Sequence, residues 1–182
     1  MLTKNERKYL LSIARQSISS VFSGKDYKPD IPKSKSLLEQ RGVFVTLTIN
    51  KKLRGCIGYI IGVKPLYEAV FDNARAAAFK DPRFYPLNQE EFKNVSIEIT
   101  VLSPLKKIEH IQEINVGKHG ILMKNNGFQG VLLPQVAIEY KWDRQTFLEN
   151  TCIKASMSPD CWKDQKTEIY IFSGEVFDEN NF

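Results

Sequence analysis

Cys56 is the residue of this chain best placed by its neighbours to do chemistry. It lies in Leu53-Arg54-Gly55-Cys56-Ile57-Gly58, a largely apolar segment in which glycines stand before and after the sulfur. Glycine has no Cβ, so a ligand or another stretch of backbone can approach closely at Gly55 and Gly58. The thiolate is the reactive form of cysteine, and a nearby cation favours it. Arg54 is adjacent in sequence and always charged. Successive side chains on a strand point to opposite faces, so a bulge at Gly55 would be needed to bring guanidinium and sulfur together. A nucleophilic thiol also needs a base or a positive partner. The chain has two histidines, His110 and His119, and His119 in Gly117-Lys118-His119-Gly120 is the candidate base. The plainer readings are that Cys56 is a small buried hydrophobe and that His119 closes a turn. Cys56 and His119 would offer a metal at most two ligands, and no metal ligand is assigned.

Other residues have two readings each. Arg83, in Asp81-Pro82-Arg83-Phe84, could hold an anion or pair with a nearby acid behind a helix stop. Gln135, after Pro134, could present its amide to a ligand or satisfy local backbone. Glu98 sits in a strand between Ile97 and Ile99, facing the other way; it is either a buried carboxylate with a raised pKa or a solvent-facing one. Trp142 and Trp162 read as packing residues. The three cysteines form no CxxC pair and no zinc spacing with histidine. Cys152 and Cys161 therefore read as reduced core thiols, which implies a reducing, cytoplasmic compartment. Gly55, Gly58 and Gly62 make neither a dinucleotide fingerprint nor a P-loop. Gly55-Cys56-Ile57-Gly58 fits the GXXG pattern of a KH module only superficially, because that loop grips phosphates and normally carries basic residues. GxSxG and HExxH are absent.

The elements that must position these residues follow from periodicity. Thr3-Lys4-Asn5-Glu6 is a capping box, apolar residues from Leu10 to Phe22 recur at helical spacing, and Gly24 is a stop. Val43–Ile49 alternates as a strand. Asn50-Lys51-Lys52 turns the chain into a second strand over 53–61. Pro65 opens a helix with an alanine-rich face, which Asp81-Pro82 ends. A strand runs over 95–101. Asn125-Asn126-Gly127 signals a hairpin between 120–123 and 128–133. A helix is expected near 143–154 and a last strand over 169–176. Intermixed helices and hairpins point to an α+β fold: a mixed, largely antiparallel sheet with flanking helices.

The 182 residues fit one domain, which could be built of two lobes. No apolar run approaches the roughly 20 residues that span a bilayer, and the N-terminus does not read as a secretory leader. Charge is uneven: 12 Lys/Arg against 4 Asp/Glu up to Gly55, and 14 against 17 beyond it. A basic N-terminal third could meet RNA or DNA, or could be a solvated helix face and a lysine-rich loop.

Leu53-Arg54-Gly55-Cys56-Ile57-Gly58 resembles the signature of the AMMECR domain family, whose prokaryotic members include the A-like proteins of AmmeMemoRadiSam systems. Five further segments resemble the family in the same order: Asn73–Phe79, Asp81–Phe84, Gly117–Gly120, Leu132–Ala137 and Trp142–Phe147. Lys154-Ala155-Ser156-Met157 departs from the usual Lys-Ala-Gly-Leu, which puts the turn at Ser156 in question. The resemblance implies a single domain over 1–182 with two lobes, the cysteine motif near a cleft between them, and association with a radical-SAM protein and a Memo-like protein. It names no cofactor and no agreed reaction. Three functions are consistent with it. One is an enzyme-system component acting on a small or peptide-like ligand, with Cys56 as nucleophile, His119 handling protons, and Arg54, Gly55, Gly58, Arg83 and Gln135 around the ligand. The others are a non-catalytic adaptor and a nucleic-acid-associated protein.

Overall fold

The structure, a computed structural model, describes residues 1–181. The chain forms two compact units, the first comprising Met1–Leu102 and the segment from Glu175 onward, the second Ser103–Gly174. Among the described residues, no helix is long and apolar enough to cross a membrane.

In the first unit, α1 (Lys4–Ser23) starts at the capping box, with Thr3 and Glu6 bonding each other's backbone, and ends at Gly24 in the left-handed region. The short α2 (Lys35–Leu38) leads into β1 (Val43–Ile49) and β2 (Lys52–Tyr59). Then come α3 (Leu66–Phe79), the short α4 (Gln89–Phe92), β3 (Val95–Leu102) and, from the far end of the chain, β8 (Gly174–Asp178). The strands form one sheet in the order β2-β1-β3-β8. Its inner face carries Val43, Val45, Leu47, Ile97 and Ile99, all fully buried in one core with α1 and α3. Ala69, Ala74, Ala77 and Ala78 on α3 are buried there too, and their small size lets the helix backbone lie against the strands. The opposite face of the sheet carries Phe44, Thr46, Thr48, Ser96, Glu98 and Thr100, all half-buried.

The second unit has its own sheet, order β4-β7-β5-β6, from β4 (Lys106–Ile108), β5 (Gly120–Asn125), β6 (Phe128–Leu132) and β7 (Glu168–Phe172). The helices are α5 (Pro134–Glu139) and α6 (Arg144–Lys154), the latter capped by the Asp143 carboxylate accepting from the Thr146 N–H. Its core gathers Ile114, Ile121, Met123, Phe147, Leu148 and Cys152. Mixed helices and antiparallel pairing agree with the α+β reading.

Two expectations are corrected. The single last strand over 169–176 is two strands in two sheets, because the chain leaves β7 at Ser173. There Ser103 N–H donates to the Ser173 carbonyl and Ser173 N–H to Ser103 Oγ. Ser173-Gly174-Glu175 interrupts the apolar pattern at this point, and the reading of a single strand ran through it. Cys152 and Cys161 are not reduced thiols: they form a disulfide with Cα atoms 5.8 Å apart. The turn that makes this possible follows α6, where Ser156 takes a left-handed φ of 59° and Met157 N–H donates back to the Cys152 carbonyl. Serine thus holds the backbone angle that glycine adopts freely, and the reversed chain returns Cys161 to the helix. Cys56 is the free cysteine.

Candidate functional site at Cys56

The geometry around Cys56 begins at the turn that precedes it. Asn50 and Lys51 both have positive φ, 51° and 63°, the conformation that matches the twist of a two-residue hairpin. Ile49 then pairs with Lys52 and Thr48 with Leu53, but Leu47 pairs with Gly55, so Arg54 is an extra residue in β2. Without this bulge, counting back from the turn would set Cys56 opposite Val45 on the inner face. With it, Cys56 pairs with Thr46 and Ile57 with Val45. A one-residue shift moves a side chain to the other face of a sheet. The bulge therefore puts the thiol on the polar face, half-buried, with Thr46 Oγ1 and Cys56 Sγ hydrogen-bonded at 3.3 Å.

The glycines serve packing. A Cβ on Gly55 would lie 2.1 Å from the Ala77 carbonyl oxygen of α3, and one on Gly58 would lie 2.3 Å from the Val43 oxygen and 2.5 Å from the Phe44 ring. Both positions let neighbouring backbone come as close as it does.

β2 is an edge strand, and an edge strand offers unpaired backbone groups. At Cys56 they are taken up by the chain just after α3. Cys56 N–H donates to Asp81 Oδ2 at 2.8 Å, and Arg83 Nη2 donates to the Cys56 carbonyl at 3.3 Å. Arg83 also grips both carboxylate oxygens of Asp81, Nε on Oδ1 at 3.0 Å and Nη2 on Oδ2 at 2.7 Å. The Asp81 side chain is 2% exposed and that of Arg83 is 54%. The bidentate Arg83 bond, with the Cys56 and Arg83 N–H groups, holds the Asp81 carboxyl far below the usual range despite burial. The same partner raises Arg83. Pairing with a nearby acid, one of the two readings of Arg83, is thus observed.

Arg54 does not turn to the sulfur. Its Nε and Nη2 grip the Glu91 carboxylate at 2.9 and 3.0 Å, Nη2 also donates to the Tyr85 carbonyl, and Nη1 is buried with no hydrogen-bond partner among the described residues. Arg54 thereby lowers the pKa of Glu91. Arg54 and Arg83 both lie over the Phe84 ring, 5.7 and 5.6 Å from its centroid.

His119 and Gln135 belong to the second unit. His119 Nδ1 accepts the Asn115 N–H, and its own N–H donates to the Asn115 carbonyl. The imidazole thus closes a five-residue turn, and burial lowers its pKa. Gln135 is exposed in the first turn of α5. In the basic N-terminal third, Arg7 pairs with Glu175 and Arg15 with Glu179. Among the described residues no three or more His, Cys, Asp or Glu side chains are grouped to hold a metal ion.

Two residues beside the thiol carried no role in the sequence reading, Thr46 and Asp81. Thr46 could have been found only by placing the bulge. Asp81 could have been found by asking what satisfies the edge of a strand that ends a sheet.

A family model described as AMMECR1 matches residues 11–177. A Nanoarchaeum equitans protein, NEQ441, is 44% identical over 94% of this chain and 99% of its own length. An Aquifex aeolicus protein is 43% identical over 93% and 91%. The crystal structure of the uncharacterized protein PH0010 from Pyrococcus horikoshii superposes with a TM-score of 0.78 at 39% identity, over 94% of this chain and 90% of that one. With the family model matched over residues 11–177 and relatives above 40% identical over more than nine-tenths of its length, the chain belongs to the AMMECR1 family.

Proposed function

We propose that this protein is a component of an enzyme system in which Cys56 acts as a nucleophile toward a small or peptide-like substrate met on the polar face of the first unit's sheet. The observation that carries the reading is the clamp on Cys56. Asp81 and Arg83 fix its backbone N–H and carbonyl, while the thiol stays half-buried and reachable on the face shared with Thr46. A reactive group works best on a rigid element whose supporting bonds hold it in place. Arg83, half-exposed beside the Cys56 carbonyl, is the cation available to a substrate anion, and Arg54 is committed to Glu91. A radical-SAM protein and a Memo-like protein as partners belong to the same proposal. So does a cytoplasmic setting, which suits the free thiol of Cys56.

The test is the pH dependence of iodoacetamide alkylation in the folded protein, where the disulfide leaves Cys56 as the thiol to label. Rapid labelling near neutral pH, lost in Cys56→Ser with the fold intact, is the expected result. Labelling only after unfolding would remove the nucleophile and leave a packing residue.

A second reading, a non-catalytic adaptor, is favoured by the exposed apolar residues of the same unit. Leu53 is 44%, Val63 64% and Tyr85 91% exposed. Partner binding that survives Cys56→Ser and fails in Tyr85→Ala would select it. The nucleic-acid reading is weakened, since Arg7 and Arg15 are spent on Glu175 and Glu179.

A further inference from the structure

The disulfide of the second unit lies at the wall of a cavity. This open cavity, of about 570 Å³, is lined by Asn125, Ser156, Ser158, Asp160, Cys161 and Lys163, among others. Its size is within the roughly 300–1,000 Å³ of small-molecule sites. One wall is the β5–β6 turn, and the other is the chain that returns from α6. The two ends of the Cys152–Cys161 bond are unequally placed. Cys152, in α6, is fully buried, whereas Cys161 is 9% exposed and lines the cavity. Met123 Sδ lies 3.4 Å from Cys152 Sγ and 3.8 Å from Cys161 Sγ. Side-chain hydrogen bonds join the returning chain to the turn. Thr167 Oγ1 donates to the Cys161 carbonyl at 2.7 Å, and Asn125 Nδ2 donates to Thr167 Oγ1 at 2.9 Å and to Asp164 Oδ2 at 3.0 Å. The disulfide is the one covalent tie between this wall and α6.

We infer that this cavity is a thiol-exchange site: a low-molecular-weight thiol of the glutathione class enters it, opens the disulfide at Cys161 and so releases the cavity wall. A disulfide is opened by a thiolate attacking one of its sulfurs, and access decides which. The incoming sulfur bonds to Cys161 Sγ, and the bond from Cys161 to Cys152 breaks. The electron pair goes to Cys152 Sγ, which takes up the proton that the incoming thiol gave up, because apolar burial disfavours a thiolate. The new Cys152 S–H has Met123 Sδ beside it as a weak acceptor. A second thiol then attacks the mixed disulfide, leaving Cys161 as a thiol and the reagent as its own disulfide. The small thiol is the reductant throughout. With the bond open, residues 157–166 have no covalent tie to α6, and Lys163 and Lys166 within them are exposed. The site lies wholly in the second unit and stands whether or not Cys56 is a nucleophile.

The test uses the full chain carrying Cys56→Ser, in which this pair holds the remaining cysteines. Reduced glutathione is the probe, and the thiols it releases are trapped with N-ethylmaleimide and located by mass spectrometry. Reduction should be first order in glutathione, with a rate that stays flat in urea below the unfolding transition. A bond left intact, a rate that saturates with glutathione, or one that climbs with the first additions of urea would mean that the bond opens only on unfolding, and would overturn the exchange site. Adding Cys152→Ser leaves Cys161 as the thiol, and adding Cys161→Ser leaves Cys152. Oxidised glutathione should modify Cys161 at least about tenfold faster than Cys152; equal or reversed rates would overturn Cys161 as the entry point. Thermal melting checks the fold of each variant, and if either fails to fold, the glutathione and urea dependence with the pair intact still decides. Trypsin should cut after Lys163 or Lys166 about tenfold faster once the bond is reduced, as expected of a segment freed to open locally. Equal cutting before and after reduction would overturn the release of the wall.

Discussion

The two tight hairpins, β1–β2 and β5–β6, share a plan and differ by one residue. Each turns on two residues with positive φ, Asn50-Lys51 in the first and Asn126-Gly127 in the second. Each has a glycine in its second strand that admits a helix. A Cβ on Gly55 would meet the Ala77 oxygen of α3 at 2.1 Å, and a Cβ on Gly130 would meet the backbone N of Ala155, at the end of α6, at 2.4 Å. The second hairpin pairs without interruption from Asn125–Phe128 to Ile121–Leu132, while the first is interrupted at Arg54. In the straight hairpin Ile121 and Met123 on the inward face are buried. In the bulged one the core set is preserved by skipping Arg54, and a thiol comes to the polar face. One inserted residue thus separates a hairpin that only packs from one that packs and turns a thiol to the polar face of its sheet.

The strongest way to break the shared plan is to fill the glycines. Gly55→Ala and Gly130→Ala should each lower stability by about 3 kcal/mol, the cost of overpacking against backbone that has no flexible end to move. Denaturant unfolding of both variants is the measurement. If Gly55→Ala costs less than about 1 kcal/mol, α3 is free to move off β2 and the close approach does not define the site.

Removing the clamp comes next, because it is peculiar to the bulged hairpin. Asp81→Asn keeps the shape but loses the charge that holds Arg83, weakening charge-assisted bonds, for an expected loss of about 2 kcal/mol at pH 7. The pH dependence has a definite sign. The folded pKa of Asp81 is depressed from its ordinary 3.8, so its contribution is fully present above that value and is lost as pH falls toward the folded one. The gap between wild type and Asp81→Asn should therefore narrow between pH 7 and pH 3. An equal gap at both would mean that Asp81 acts by shape alone. Alkylation of Cys56 in the same variant reports whether the clamp matters to the thiol.

Much of this architecture was legible in local chemistry. The Thr3–Glu6 capping box, the Gly24 stop, the Val43–Ile49 strand, the Asp143 start of α6 and both hairpin turns are each written in a few adjacent residues with one physical meaning. What escaped is non-local. The Arg54 bulge depends on Gly55 yielding to Ala77 and on Glu91 receiving the displaced guanidinium, residues far along the chain. The Cys152–Cys161 bond depends on a serine adopting a glycine-like angle. At the site, Cys56 was found by type and flanking glycines. Thr46 was invisible without the register.

The smallest expected effect exchanges the two turns. Lys51 and Gly127 hold the second turn position of their hairpins, with φ of 63° and 85°. A side chain at such an angle costs roughly 1–2 kcal/mol, whereas glycine adopts it freely but surrenders about 0.4–1 kcal/mol through the entropy of the unfolded chain. The net preference for glycine therefore lies between about 0 and about 1.6 kcal/mol. Nothing lies within 4 Å of a Cβ built on Gly127, so Gly127→Lys introduces no clash, and only backbone strain is measured. Lys51→Gly should raise the melting temperature by about 2 °C and Gly127→Lys should lower it by about the same amount. Equal and opposite shifts would show that the turns are interchangeable and that the hairpins differ in the bulge. A Lys51→Gly variant that lost stability would instead place part of the register control of β2 in the Lys51 side chain, making the bulged hairpin distinct from its turn onward.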